Sequence, residues 1–155
     1  MSQKRRFIYW DPDLEDQVQA SDGDVIANVH GMDVVCGEAI AQYDVLIFDK
    51  TEKKAFKAKA DTDSLRNVTL LALEAGAVGE TIQCALPGNR IPGITVTPGD
   101  RYWLSKDTAG AIVDAAPKHK WVVVIGNAVQ EMLDTDPPES APALVFNPRV
   151  VMKLI

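Results

Sequence analysis

The chain has 155 residues, of which 46% are hydrophobic and 25% charged, a composition typical of folded rather than disordered proteins. Its formal net charge of −6 argues against binding nucleic acid through a broad basic face, so no nucleic-acid partner is expected. No run of 18 apolar residues occurs, and an Asp-Pro-Asp break at 11–13 leaves too short an apolar stretch for a signal peptide. We therefore expect a protein made in the cytoplasm, with no membrane partner.

Residues 1–33 are predicted to form an extended N-terminal arm. Residues 1–36 hold three basic and seven acidic residues, and the segments 11–16 and 21–24 are rich in turn-forming Asp, Pro and Gly. Only residues 25–29, with the sequence V-I-A-N-V, read as a strand there.

The arm carries residue types that commonly anchor interfaces. A short arm cannot bury four consecutive large residues by itself, so residues 7–10 are expected to pack against a neighbouring chain or against the flank of the domain. The interface candidates of the arm are Arg5, Arg6, Phe7, Tyr9 and Trp10.

Residues 34–155 are predicted to form an all-β domain, because short β-rich runs alternate with Gly, Pro and Asp. The segments 87–88 and 98–99 each offer the Pro-Gly pair of a type II turn. Residues 131–148 contain four prolines and are predicted to be a surface loop rather than part of a sheet. The candidate strands are 44–48, 55–60, 68–73, 81–86, 101–104, 111–114, 121–125 and 150–154.

An internal repeat appears when the sequence is shifted by 56 positions against itself without gaps. The shift places Gly37 on Gly93, Asp44 on Asp100 and Ala72 on Ala128, and apolar residues match between these anchors. The repeat halves are about 37–86 and 93–155, and they predict a small β-barrel or β-sandwich built from an internal duplication. The copies differ where Tyr43 stands opposite Gly99, so the first turn is not expected to copy a geometry that needs positive φ.

Reactive groups in a catalytic or metal-binding pattern are not found in the sequence. His30 and His119 stand in no metal-ligand spacing, and no nucleophile elbow, P-loop or dinucleotide-binding motif occurs. Cys36 and Cys84 are interpreted as reduced core thiols. The sequence thus predicts a protein that is not an enzyme, with no catalytic residues, no metal site and no cofactor.

The neighbouring aromatic residues Tyr102 and Trp103 are also interface candidates. Side chains alternate along a strand, so one of the two should face the core and the other should face outward. The outward one is then free either to pack on the surface or to contact a second subunit.

Several segments resemble the small β-domain of tailed-phage capsid decoration (cement) and head-fibre proteins. Residues 93–105 (G-I-T-V-T-P-G-D-R-Y-W-L-S), 109–112 and 121–129 match that family's T-P-G turn, aromatic strand, glycine-containing hairpin and V-x-V-G-x-A strand. Residues 37–45 and 71–82 resemble the first half of the same domain. The resemblance covers about residues 34–130 and has no counterpart for the acidic arm or for residues 131–148.

The resemblance implies a structural virion protein on the outer surface of the phage head. Such a protein binds the major capsid protein, assembles as a homotrimer and stabilises contacts between capsid subunits. An alternative within the same resemblance is a head-fibre or receptor- or glycan-binding module displayed on the virion.

Overall fold

A computed structural model of the protein describes residues 31–61, 65–118, 120–133, 137 and 139–154. Those residues form ten β-strands and no helix, so none of them belongs to a helix that could cross a membrane. The strands are β1 (Gly31–Val35), β2 (Val45–Asp49), β3 (Lys54–Lys57), β4 (Leu70–Ala72), β5 (Thr81–Ala85), β6 (Arg90–Pro92), β7 (Arg101–Leu104), β8 (Ile112–Val113), β9 (Lys120–Leu133) and β10 (Glu139–Leu154).

The strands form two five-stranded sheets with the same topology. Sheet 1 has the order β1-β5-β4-β2-β3, and sheet 2 has the order β6-β10-β9-β7-β8. Every strand of sheet 2 therefore occupies the position of the strand five places earlier in the chain, and all neighbours pair antiparallel. The prediction of an all-β fold built from a duplication is confirmed.

Strand register also repeats at the shift of 56 positions. Val45 pairs with Leu71 in sheet 1, and their equivalents Arg101 and Asn127 pair in sheet 2. The pattern ends at Trp103, where a register shift in sheet 2 has no counterpart among the pairs of sheet 1. The central strands of the two halves thus have the same pairing near their starts and diverge beyond them.

The turn that precedes β2 contradicts one expectation from the sequence. Tyr43 has φ of 71° and its equivalent Gly99 has φ of 94°, so both turns adopt the left-handed conformation. The Tyr43 amide donates to the Ala72 carbonyl oxygen at 2.7 Å, and the Gly99 amide donates to that of Ala128 at 2.9 Å. The same hydrogen bond between turn and strand thus forms in both copies. In the first copy it offsets the cost of about 1–2 kcal/mol that Tyr43, which has a Cβ, incurs in this conformation.

The loops after β2 and β7 have equivalent side-chain caps. The Asp49 carboxylate accepts hydrogen bonds from the amides of Thr51 and Glu52 at 2.8 and 3.1 Å. At the equivalent place the Ser105 hydroxyl accepts from the amides of residues 107 and 108 at 3.2 and 3.0 Å. An aspartate and a serine thus fulfil the same role, because each places one acceptor oxygen over a tight turn.

The centre of sheet 1, at β4 and the start of β2, is buried on both faces. Neighbouring residues of β2 show this, since Leu46 enters one core and Val45 the other, and neither is exposed. The first core, which we call the barrel core, lies within the first copy. There a parallel bridge joins Cys36, the residue after β1, to Ala55 of β3, so that the two edges of sheet 1 meet. The barrel core consists of Val34, Cys36, Ile40, Leu46, Ala55, Leu70, Ala72, Ile82 and Cys84.

A second core, the shared core, takes side chains from both sheets. Sheet 1 contributes Val45, Leu71 and Ala85, and sheet 2 contributes residues such as Phe146 and Ile125. Because sheet 1 separates the two cores, neither copy is packed independently of the other.

Backbone hydrogen bonds join the two copies at Gly110. Its carbonyl oxygen accepts from the Val45 amide at 2.9 Å, and its amide donates to the Ala58 carbonyl oxygen at 2.8 Å. Gly110 has φ of 82°, and an added Cβ would lie 2.8 Å from the Asp44 carboxyl carbon. Glycine is therefore required both by the conformation and by the close approach of the first copy.

The prediction of a surface loop over residues 131–148 is wrong. Strand β9 continues to Leu133, β10 begins at Glu139, and the two form a long antiparallel ribbon. Pro148 lies at a register shift of the ribbon, and Pro142 lies just outside the 143–145 segment that pairs with β6. Both sites are places where a missing backbone donor is tolerated, which explains how a sheet accommodates them.

Two further boundaries differ from the sequence prediction. The first described strand, β1, starts at Gly31, within the segment 1–33 that the sequence assigns to the arm, and residues 150–154 are the end of β10 rather than a separate strand. The predicted arm before Gly31 lies outside the described residues.

Candidate functional surface

The outer face of sheet 2 is the candidate functional surface. Side chains alternate along β7, so that Tyr102 and Leu104 enter the shared core while Arg101 and Trp103 point away from it. Following the pairing across the sheet, we define the outer surface of sheet 2 by Arg101, Trp103, Val113, Val122, Val124, Asn127, Arg149 and Met152. Val122 and Val124 are buried within it.

Trp103 lies in the middle of one row of this surface. It pairs with Val113 on one side and with Val124 on the other, and Val124 pairs with Arg149. Trp103 is only partly buried, whereas Val124 is 2% exposed. A partly exposed indole between two valines provides a large contact area for a partner at low entropic cost.

Tyr102 has a different environment from its neighbour. It is 8% exposed, and its hydroxyl accepts a hydrogen bond from the Thr97 amide at 2.8 Å. The expectation that one of the two aromatics faces inward is met, with Tyr102 inside. Packing is therefore the role that its position favours, and Trp103 is the one that a partner can reach.

Basic residues surround the apolar row. The Arg101 side chain donates to the Asn127 side-chain oxygen at 3.2 Å, and both are exposed. Exposed Arg149 pairs with Val124 in the register of the ribbon. Arg90, on the edge strand, forms an ion pair with Glu131 at 3.3 Å. The outer surface thus combines apolar contact area with arginine donors, which suits a protein surface that presents carboxylates or backbone carbonyls.

A second aromatic site, at Trp121, was not singled out from the sequence. The Arg66 guanidinium lies 4.0 Å from the centre of the Trp121 ring, and the Lys153 ammonium lies 5.3 Å from it. Next to this cluster a groove runs between residues 66–69 and residues 148–150. No local signal reveals this arrangement, because its parts come from positions far apart in the chain.

The five interface candidates of the arm, Arg5, Arg6, Phe7, Tyr9 and Trp10, lie outside the described residues, as do His30 and His119. Their interface role stays a prediction. Within the ranges that the structure describes, no group of three or more His, Cys, Asp or Glu side chains is placed to hold a metal ion.

The two cysteines lie in the barrel core and are fully buried. Burial raises the pKa of the Cys84 thiol to about 12, and the nearby Cys36 adds to the shift. Burial also raises the pKa of Cys36, with further contributions from Glu80 and Glu74. Both thiols are therefore protonated at neutral pH, which disfavours nucleophilic chemistry.

The Asp44 carboxylate is half-buried in the turn before β2. Burial raises the pKa of Asp44, while the hydrogen bond that its carboxylate accepts from the Ala41 amide at 2.9 Å acts in the opposite direction. This hydrogen bond closes the turn before β2, so its role is structural.

Comparisons of the chain with protein-family models, with curated proteins and with solved structures each find no match.

Proposed function

We propose that the protein is a structural virion component, a capsid decoration protein that binds the major capsid protein on the outer surface of the phage head. The observation that carries this proposal is the row of Trp103, Val113 and Val124, flanked by Arg149, on the outer surface of sheet 2. The resemblance of residues 34–130 to phage decoration proteins supplies the partner.

The asymmetry between the two sheets supports the choice of this surface. The central strands of sheet 1 contribute to a core on each face, whereas the outer face of sheet 2 carries the partly exposed Trp103 together with Met152, which is 50% exposed. Apolar surface of this kind on a soluble domain marks a site of protein contact.

A glycan-binding module is the alternative, and it would place an outward aromatic beside carboxylates in a concavity. The cross-strand neighbours of Trp103 are two valines, and the charged residue next in the row is Arg149. This environment favours a protein partner over a glycan.

Co-sedimentation with purified phage heads that lack the protein tests the surface. Trp103→Ala should weaken binding by at least about tenfold, since truncation of a central aromatic anchor commonly costs 2 kcal/mol or more. Phe48→Ala is a matched control, because Phe48 is an aromatic residue 40% exposed on sheet 1. Equal binding by the wild type and Trp103→Ala would contradict the proposed surface. A similar loss of binding in Trp103→Ala and Phe48→Ala would show that the binding surface is not confined to sheet 2.

The arm is proposed to contribute to attachment rather than to the fold. Deleting residues 2–16 removes Arg5, Arg6, Phe7, Tyr9 and Trp10, and it should weaken binding to heads at least tenfold, with a nearly unchanged Tm, since chain termini usually add little to global stability. Decoration with unaltered affinity would contradict the role in binding. Loss of folding would instead make the arm part of the core.

A homotrimer is the proposed assembly, because local three-fold positions of a capsid select a partner with the same symmetry. Native mass spectrometry at micromolar concentration should return the mass of a trimer. Detection of monomer alone would contradict this proposal without affecting the Trp103 test.

A further inference from the structure

Three exposed apolar side chains lie at one end of the barrel that the first copy forms. Met32, Phe48 and Leu86 are 43%, 40% and 36% exposed. Strands β1 and β3 run in one direction, since the bridge between Cys36 and Ala55 is parallel, and β2 and β5 run in the opposite direction. The start of β1 and the ends of β2 and β5 therefore share one end of the barrel, and the three apolar residues lie there.

The same three side chains lie on the inward side of the barrel wall. Directly paired residues of antiparallel strands share a face of the sheet. Met32 pairs with Cys84, which belongs to the barrel core, and Phe48 pairs with Ala55, which belongs to it as well. Leu86 directly follows β5, two residues after Cys84, so alternation places it on the same face. Met32, Phe48 and Leu86 thus surround an apolar opening next to the barrel core, which we call the barrel mouth.

The equivalent end of the second copy is covered. The shift of 56 positions places Phe48 on Leu104, which is fully buried in the shared core, whereas Phe48 is 40% exposed. Next to Leu104, the Ser105 carbonyl oxygen accepts a hydrogen bond from the Ala60 amide at 3.0 Å. Ala60 belongs to the segment after β3 and to the same shared core. The first copy therefore covers the mouth of the second copy.

The arm has the position in the chain that a cover for the first copy requires. The mouth of the second copy is covered by the part of the chain that precedes it, and residues 1–30 precede the first copy in the same way. The described chain starts at Gly31, next to Met32 at the barrel mouth.

Residues 25–30 are long enough to cross the barrel mouth. Six residues of extended chain span up to about 20 Å. In sheet 1 three strand spacings, each of about 4.8 Å, separate β1 from β2, so a segment that leaves β1 can reach Phe48 on β2.

The composition of the arm selects the segment that suits this place. Residues 25–29 read V-I-A-N-V, whereas residues 11–16 and 21–24 are rich in aspartate. Packing valine and isoleucine side chains against the barrel mouth removes apolar surface of both from water, which is favourable. Aspartate side chains in the same place would lose their hydration.

We propose that residues 25–29 of the same chain fold over the barrel mouth and pack against Met32, Phe48 and Leu86. The segment then caps the first copy as the first copy caps the second. It also fastens the base of the arm to sheet 1, so that residues 1–24 extend from a fixed point at this end of the domain.

Methionine oxidation in the full-length protein tests this cap, because peroxide attacks methionine side chains that it can reach. A combined variant with Val25→Ser, Ile26→Ser and Val29→Ser keeps the chain length and removes the apolar cover. Oxidation of Met32, followed by peptide mass spectrometry, should become at least about threefold faster in this variant. Met132, which is 66% exposed on β9, is an internal control whose rate should not change. An unchanged rate at Met32 would overturn the proposal.

A matched variant changes apolar residues elsewhere in the arm. Phe7→Ser, Ile8→Ser and Trp10→Ser together remove three large side chains outside residues 25–29 and should leave the oxidation rate of Met32 unchanged. Faster oxidation in this variant would show that residues 7–10 contribute the cover, and it would overturn the assignment to residues 25–29.

Cysteine labelling shows in both variants whether the barrel core remains folded. Cys36 and Cys84 are fully buried, so iodoacetamide should not label them faster than in the wild type. Faster labelling together with faster oxidation of Met32 in the Val25→Ser, Ile26→Ser, Val29→Ser variant would make residues 25–29 part of the fold as a whole, and it would overturn a local cap.

Nuclear Overhauser effects test the contact directly in the wild-type protein. Methyl groups of Ile26 or Val29 should show contacts with the Phe48 ring, and a complete lack of contacts between residues 25–29 and the barrel mouth would overturn the proposal. In a mixture of labelled and unlabelled protein, these contacts should arise within one molecule. Contacts found only between molecules would show that a second copy contributes the segment, and they would overturn the assignment to the same chain.

Discussion

The position of sheet 1 between two cores predicts that both copies unfold in a single transition. Leu46 lies in the barrel core and Leu71 in the shared core, and both are fully buried. The two strands that hold them are paired through Leu46 and Leu70 and through Val45 and Leu71. A cavity in either core should therefore destabilise the whole domain.

The expected size of the effect follows from the burial of these side chains. A fully buried leucine replaced by alanine costs about 2–5 kcal/mol. In a chain of this size 1 kcal/mol corresponds to about 2–4 °C in Tm. Leu46→Ala and Leu71→Ala should thus each lower Tm by roughly 5–15 °C. Val78→Ala is the control, because Val78 is 66% exposed.

Tryptophan fluorescence measures the second copy separately. The chain has three tryptophans, and Trp103 and Trp121 both belong to the second copy. In a Trp10→Phe background, fluorescence reports that copy alone, while far-UV circular dichroism reports both. Leu46→Ala should shift the two thermal transitions equally. A shifted circular dichroism transition with an unchanged fluorescence midpoint would refute the coupling of the two cores.

Two further predictions concern local features of the fold. Gly110→Ala should lower the free energy of unfolding measured in urea by about 3 kcal/mol, and Gly99→Ala should lower it by about 1 kcal/mol. Both glycines have positive φ, but only Gly110 lies close to Asp44. Equal losses of stability would show that the structure around Gly110 relaxes to accept the added Cβ. The raised pKa of Cys84, about 12 against an ordinary 9.0, means that its protonation contributes stability present below pH 9 and lost as pH rises towards 12. Iodoacetamide at pH 8 should therefore label Cys36 and Cys84 only at the rate of unfolding, and fast labelling of the folded protein would contradict their burial.

The fold class and the duplication were predictable from the sequence because they depend on local patterns. Short β-rich runs marked the strands, and the two Pro-Gly pairs marked turns at Gly88 and Gly99, which both have positive φ. The shift of 56 positions was visible because glycine, aspartate and small residues recur where each copy turns. Equivalent turns need equivalent residues, so a duplication leaves this trace in the sequence.

Local patterns failed where long-range contacts decide the conformation. Tyr43 adopts positive φ because its turn is held by the hydrogen bond to Ala72, a contact that no propensity of tyrosine predicts. Pro142 and Pro148 suggested a loop, but β9 supplies a partner of 14 residues along which β10 pairs, and the prolines occupy the positions where a donor is dispensable.

The candidate surface shows the same division between local and tertiary information. Alternation along a strand separated Tyr102 from Trp103, but only the tertiary structure determined that Tyr102 faces the core and that Trp103 pairs with Val124. Likewise, the sequence alone could not join Trp121 to Arg66, which lies 4.0 Å from its ring. The alternation of side chains between the two faces is a property of each strand by itself. Which strand lies next to it depends on the free energy of the whole packed fold, to which both cores and all strand pairs contribute.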